Sequence, residues 1–227
     1  MKATTARGIA AQIGRRIADQ PAATVAAYRR LRREFSRSLK DVPAATLIGA
    51  SCLLSQVPRR WHRFVAYELI QRHPTAPGGL DARNLERLGR GMSDWAEVDC
   101  FSVYLSGPAW RRRRIGDSVI RGWARSPDRW WRRAALVSTV PLNSRAHGGE
   151  GDSRRTLRVC RMLERDRDPM IVKAVSWALR ELAKRDPESV RRFLSDRSDA
   201  LAALVKREVR DKLDTGLKNP GKRRGAR

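Results

Sequence analysis

Apolar residues recur along the chain at spacings of three and four: Val25, Tyr28, Leu31, Phe35 and Leu39 form one stripe, and Val190, Phe193 and Leu194 contribute a later one. That is the helical period, because residues three and four apart share one face at 3.6 residues per turn. The alternation of a half-buried strand is nowhere sustained, so the pattern predicts an all-α protein. Roughly eleven helical stretches can be drawn from caps and breakers. The breakers stand at Pro43, Pro58, Pro74 to Gly79, Gly107-Pro108, Pro127, Pro169 and Pro187. Short links without a heptad seam favour stacked helical hairpins, a HEAT-like repeat solenoid (an α-α superhelix), over a four-helix bundle.

Two segments depart from this pattern and are expected to be mobile: the loop from Asn143 to Arg155, rich in Gly, Ser and Arg, and the basic tail over residues 216–227. The remainder, residues 1–215, is expected to form a single helical repeat domain, a reasonable length for one elongated core. Met1 to Gln20 has no acidic residue before Asp19 and lacks the apolar core of a secretory signal, which favours an amphipathic first helix.

Charge narrows the partner. The 227 residues carry 49 Lys and Arg against 24 Asp and Glu, a formal net charge of +25, well beyond what solubility requires. A polyanion is the natural partner. Nucleic acid is favoured over a membrane surface, because no apolar run approaches the length of a spanning helix and no lipidation signal is present. Cys52, Cys100 and Cys160 lie far apart in apolar stretches without C-x-x-C spacing, in keeping with reduced thiols in a cytosol. His62, His73 and His147 have no paired ligand spacing, so neither a metal nor a cofactor is expected.

Three predicted helices place aromatic or charged residues where a simple core pattern would not. In the first, Asp168 caps, Pro169 takes the opening turn, and Ile171, Val175, Ala178, Leu179 and Leu182 follow the core spacing. Lys173, Trp177, Arg180 and Lys184 recur on the other side at offsets of four, three and four. An indole among cations can be a cation–π or helix-packing residue, or a platform beside a phosphate-binding stripe. In the second, Asp94 caps with Glu97 as its capping-box partner, and Val98, Phe101 and Leu105 form the core stripe. Trp95, Asp99 and Ser102 share a separate face, which sets an indole and a carboxylate one turn apart. In the third, opened by Asp128 after Pro127, Arg133 falls within an apolar stripe that contains Trp130 and Val137. Burial there demands an anionic partner, either a structural carboxylate such as Asp99 or a DNA phosphate.

The pieces Asp94-Trp95-Ala96-Glu97-Val98-Asp99, Trp131-Arg132-Arg133-Ala134-Ala135 and Lys173-Ala174-Val175-Ser176-Trp177-Ala178-Leu179-Arg180-Glu181 resemble, in content, order and separation, the DNA alkylation repair glycosylases of the AlkD-like family. The resemblance covers approximately Thr24 to Leu213 and implies HEAT-like repeats curved around duplex DNA, with a concave basic face. It implies that Trp95 and Trp177 pack against the sugar of the damaged nucleotide, that Asp99 is the catalytic aspartate, and that Arg133 lies near the DNA backbone. Arg180 sits where the family has a phosphate-contacting arginine, and Lys173 and Lys184 extend that stripe.

The implied activity is excision, by a monomer, of N3- or N7-alkylated purines from duplex DNA without base flipping. A cationic base leaves as a neutral molecule, so no general acid is required and the oxocarbenium-like sugar is what needs stabilising. Two other classes remain beside it: a catalytically silent HEAT module that binds DNA or RNA, and a protein-interaction scaffold for acidic peptides.

Overall fold

The computed structural model describes residues 5–21 and 23–220, all helical or connecting, with no strand among them. Of the basic tail, residues 221–227 lie outside the described residues. The chain divides into two compact units, Met1–Ile115 and Gly116–Arg227.

The first unit runs α1 (Ala6–Ala18), α2 (Val25–Ser38), α3 (Ala44–Ser55), α4 (Arg60–Arg72), α5 (Ala82–Gly89), α6 (Trp95–Phe101) and α7 (Gly107–Arg111). Thr24 starts α2 by accepting the Ala27 amide hydrogen on its Oγ1, satisfying one of the donors a helix leaves open at its first turn. Tyr28, Leu31 and Phe35 of the expected stripe are buried, whereas Val25 is 43% exposed at the edge of a cavity described below. The most apolar helix, α3, packs against α1, α4 and α5, which is why it needs no polar face.

The sequence break at Gly107-Pro108 is absent from the fold. A π-helical turn, Ser102–Ser106, joins α6 to α7, and the Gly107 amide reaches back five residues to the Ser102 carbonyl. Proline breaks an α-helix by removing one i→i−4 bond and crowding the preceding turn. A turn wound to i→i−5 already skips that bond and is wider, so Pro108 is accommodated without ending the helix.

The second unit runs α8 (Asp117–Ala124), α9 (Arg129–Val137), α10 (Val140–Asn143), α11 (Ser153–Leu163), α12 (Pro169–Leu182), α13 (Pro187–Asp196) and α14 (Ala203–Thr215). Its centre is α12, which packs against α9, α11 and α14 and buries Ile171, Val175, Ala178, Leu179 and Leu182, the core face expected from the spacing. Asp168 Oδ1 accepts the Met170 amide hydrogen, with Pro169 in the first turn as the sequence indicates.

The segment 143–155, expected as a mobile loop, is tied down. The buried Asn143 donates through Nδ2 to the Thr139 carbonyl and to Thr156 Oγ1, and accepts the Asp152 amide hydrogen. Arg185 donates to the carbonyls of Asn143 and Gly149. A Cβ at Gly149 would stand 2.5 Å from the Pro141 carbonyl oxygen, so only glycine permits this close return of the backbone. Composition indicated a loop but was blind to these distant partners.

Candidate nucleic-acid interface

Trp95 and Asp99 owe their placement to the start of α6. Asp94 Oδ1 accepts the Glu97 amide hydrogen at 2.9 Å, as a cap should. The Glu97 carboxylate reaches one residue further back than a capping box requires, to the Ser93 amide. Buried Arg63 approaches Glu97 Oε1 to 3.5 Å and donates to the Leu88 and Arg90 carbonyls, so the entry to α6 is anchored to α4 and to the C-terminal end of α5. On this fixed base Trp95 stands 57% exposed. Asp99, one turn on, is half-buried.

Trp95 forms part of the wall of a cavity of about 330 Å³, shared with Val25, Trp61, Phe64, Tyr67 and Cys100. Trp61 stacks on Tyr28 at 4.3 Å and meets Phe64 edge-on, while the Arg60 guanidinium lies 4.9 Å from the Trp61 ring. The wall is therefore aromatic and braced, with a cation at its rim. Burial, and then the negative charge of Asp99, push the Cys100 thiol up to about 12, so it is a neutral wall residue at pH 7, not a nucleophile. Sequence reasoning passed over Trp61 and Phe64; their spacing of three on α4 was the available signal.

In the second unit, Asp128 Oδ1 accepts the Trp130 amide hydrogen and opens α9. Trp131 leans on Trp123 at 4.9 Å, and Arg132 donates to Asp166 and to the Ser126 and Pro127 carbonyls. Arg133 is buried, as its position in the stripe indicates, and its Nη1 donates to the Met170 carbonyl at 2.6 Å. A backbone oxygen in the first turn of α12 thus meets part of the demand that the sequence pattern assigned to a carboxylate or phosphate.

The stripe on α12 is less uniform than its spacing. Lys173 is exposed and Trp177 half-buried, while Lys184, expected on the same helix, stands two residues past its end and pairs through Nζ with Glu181 at 2.7 Å. Arg180 turns its Nε inward to Ser176 Oγ at 3.1 Å, with Glu208 at 3.7 Å. Burial lowers the Arg180 pKa against the opposing pull of Glu208 and Glu181, yet a guanidinium stays charged at neutral pH. The structure thus sets Trp95 beside Asp99 on α6 and Trp177 beside Arg180 on α12, and ties Arg133 to the start of α12.

Among the described residues no group of three or more His, Cys, Asp or Glu side chains could hold a metal ion. No helix of these residues is long and apolar enough to cross a membrane. The three cysteines are free thiols.

The family model described as DNA alkylation repair enzyme matches residues 19–213. A solved structure described as "Predicted DNA alkylation repair enzyme from Enterococcus faecalis" superposes with a TM-score of 0.67 at 16% identity, covering 91% of this chain and 95% of that one. No curated protein matches the chain.

Proposed function

We propose that this chain, which belongs to the DNA alkylation repair enzyme family, is a DNA glycosylase that removes cationic N3- or N7-alkylated purines from duplex DNA as a monomer. The observation that carries the reading is the exposed indole of Trp95 one helical turn from the half-buried carboxylate of Asp99, in a chain of net charge +25. A carboxylate facing DNA is repelled by phosphates unless it meets a cation, and alkylation of a purine provides one.

In the step that follows, the bond between the sugar C1′ and the purine nitrogen breaks, and its electron pair neutralises the positive charge on the departing base. The sugar is left oxocarbenium-like, and Asp99 stabilises that charge electrostatically. Water adds to C1′ and releases its proton to Asp99 or to solvent, leaving an abasic sugar. No general acid is needed, because the leaving group is already cationic, and the base need not be extruded into a pocket. Trp95 offers an electron-rich face to the sugar, and Trp177 is a second aromatic face for the DNA. Arg133, Arg180, Lys173 and Lys184 serve the phosphate backbone, Arg133 from a buried position.

The test is incubation with a methylated duplex, followed by chromatography of the released bases. Release of 7-methylguanine and 3-methyladenine is expected, while uracil and hypoxanthine, neutral in the same duplex context, should stay. Binding without release would show a silent nucleic-acid module; comparable release of the neutral bases would reveal a general acid that this reading lacks.

A further inference from the structure

Ser176 and Glu208 take no part in the chemistry proposed above, yet they are polar, buried and joined. Ser176 has no exposed surface and Glu208 is 6% exposed. They lie 32 residues apart, on α12 and α14, and Ser176 Oγ donates to Glu208 Oε2 at 2.6 Å. The same hydroxyl accepts from Arg180 Nε at 3.1 Å, and Arg180 Nε stands 3.7 Å from Glu208 Oε2. Lys218 Nζ approaches the other carboxylate oxygen at 3.3 Å. One hydroxyl therefore relays the guanidinium N–H to a buried carboxylate.

This arrangement uses the Arg180 group asymmetrically. Of the five N–H donors of a guanidinium, the single one on Nε is committed inward. Nη1 and Nη2, which carry the other four, hydrogen-bond to no described residue. A free Nη1/Nη2 fork on a group pinned by its Nε matches the two-oxygen geometry of a phosphodiester, and pinning in advance lowers the side-chain entropy lost on binding.

We infer that the Ser176–Glu208 pair is a positioning device for Arg180, holding the guanidinium by its Nε so that the Nη fork takes the oxygens of a DNA phosphate. The inference rests on the DNA-binding part of the proposed function. It also reverses the sign expected of Glu208, because a carboxylate that acts through charge alone weakens attraction to DNA, whereas one that aims an arginine strengthens it.

The experiment measures binding of the full chain to an unmodified duplex by fluorescence anisotropy over a series of salt concentrations. Each phosphate contact contributes about 0.9 to the magnitude of the slope of log K against log salt. Glu208→Gln, Ser176→Ala and Arg180→Gln are each expected to weaken binding and to reduce that slope by about 0.9. The Arg180→Gln, Glu208→Gln double variant should lose no more than Arg180→Gln alone. Tighter binding by Glu208→Gln, or a slope equal to that of the unmodified protein in a folded Glu208→Gln or Ser176→Ala variant, would overturn the inference. Should Glu208→Gln fail to fold, Ser176→Ala, which removes one hydroxyl, carries the same expectation. Absence of salt-dependent binding in the unmodified protein would instead remove the DNA reading itself.

Discussion

Two helices, α6 and α12, each carry a tryptophan with an ionisable residue about one turn later, and they place it by opposite means. Trp95 opens the seven-residue α6, and its indole is 57% exposed. A side chain in a first turn leans toward the N-terminus, where no earlier turn of the same helix covers it. Trp177 sits in the middle of the 14-residue α12, flanked by turns on both sides, and is half-buried. The charged neighbours differ in sign. Asp99 follows Trp95 and is succeeded by a π-helical turn; Arg180 follows Trp177 and is pinned through Ser176 to Glu208. The same aromatic thus serves beside a carboxylate suited to a developing cation and beside a guanidinium suited to a phosphate. Under the proposed function the first helix carries the chemistry and the second binds DNA, and the contrast between them is what the following measurements test.

The largest effect should be on binding. If some six to ten phosphates are contacted, raising salt from about 50 to 200 mM should weaken duplex binding by roughly 10³ to 10⁵. Replacing Lys173, Arg180 and Lys184 together with Ala should flatten that dependence, while Trp95→Ala should leave its slope unchanged. A salt-independent affinity, read by fluorescence anisotropy, would end the phosphate reading of α12.

Next in size is the chemical step. Asp99→Asn should bind methylated duplex normally yet excise about 10² to 10³ more slowly in single turnover, the usual cost of losing one fixed electrostatic stabiliser. Arg180→Gln should show the converse, weaker binding with a nearly unchanged rate at saturating protein. Equal single-turnover rates for Asp99→Asn and the unmodified protein would remove Asp99 from the reaction.

Smaller again is the cost to folding. Trp177→Ala, which empties a half-buried position, should destabilise the chain by about 1 to 3 kcal/mol, whereas Trp95→Ala should stay within about 0.5 kcal/mol. Urea denaturation followed by circular dichroism compares them, and equal losses would show that the two indoles are embedded alike.

The smallest expected effect separates the two units by pH. Burial, and then Arg59, hold His62 of the first unit below its ordinary value of 6.5. Its protonation therefore favours the unfolded chain, so stability is complete above pH 6.5 and declines as pH falls toward the depressed value. In the second unit, hydrogen bonds from Ser153 and Ser189 hold Asp186 below its ordinary 3.8. That contribution is complete above pH 3.8 and is lost only as pH falls through the lowered value. Between pH 7 and 5 the unmodified protein should lose melting temperature, and His62→Phe should lose less. An identical pH dependence in the two proteins would show that His62 is not the group responsible.

The helical class, the core faces of α2 and α12 and the caps at Asp94, Asp128 and Asp168 were legible in the sequence, because each depends on residues within one or two turns. The pairings of Trp95 with Asp99 and of Trp177 with Arg180 were legible for the same reason, since a helix brings together residues three and four apart. The helix running through Pro108, the fastening of residues 143–155, the aromatic wall around Trp61 and the Met170 carbonyl that receives Arg133 were not. Each depends on which groups meet across space, or on a winding that the period of the pattern does not encode. Ser176 and Glu208 mark that boundary most sharply: alone, one is a buried helical serine and the other an acid among basic residues. Only the packing of α14 on α12 joins them, and a buried hydrogen bond between residues far apart in the chain leaves no periodic trace in the sequence.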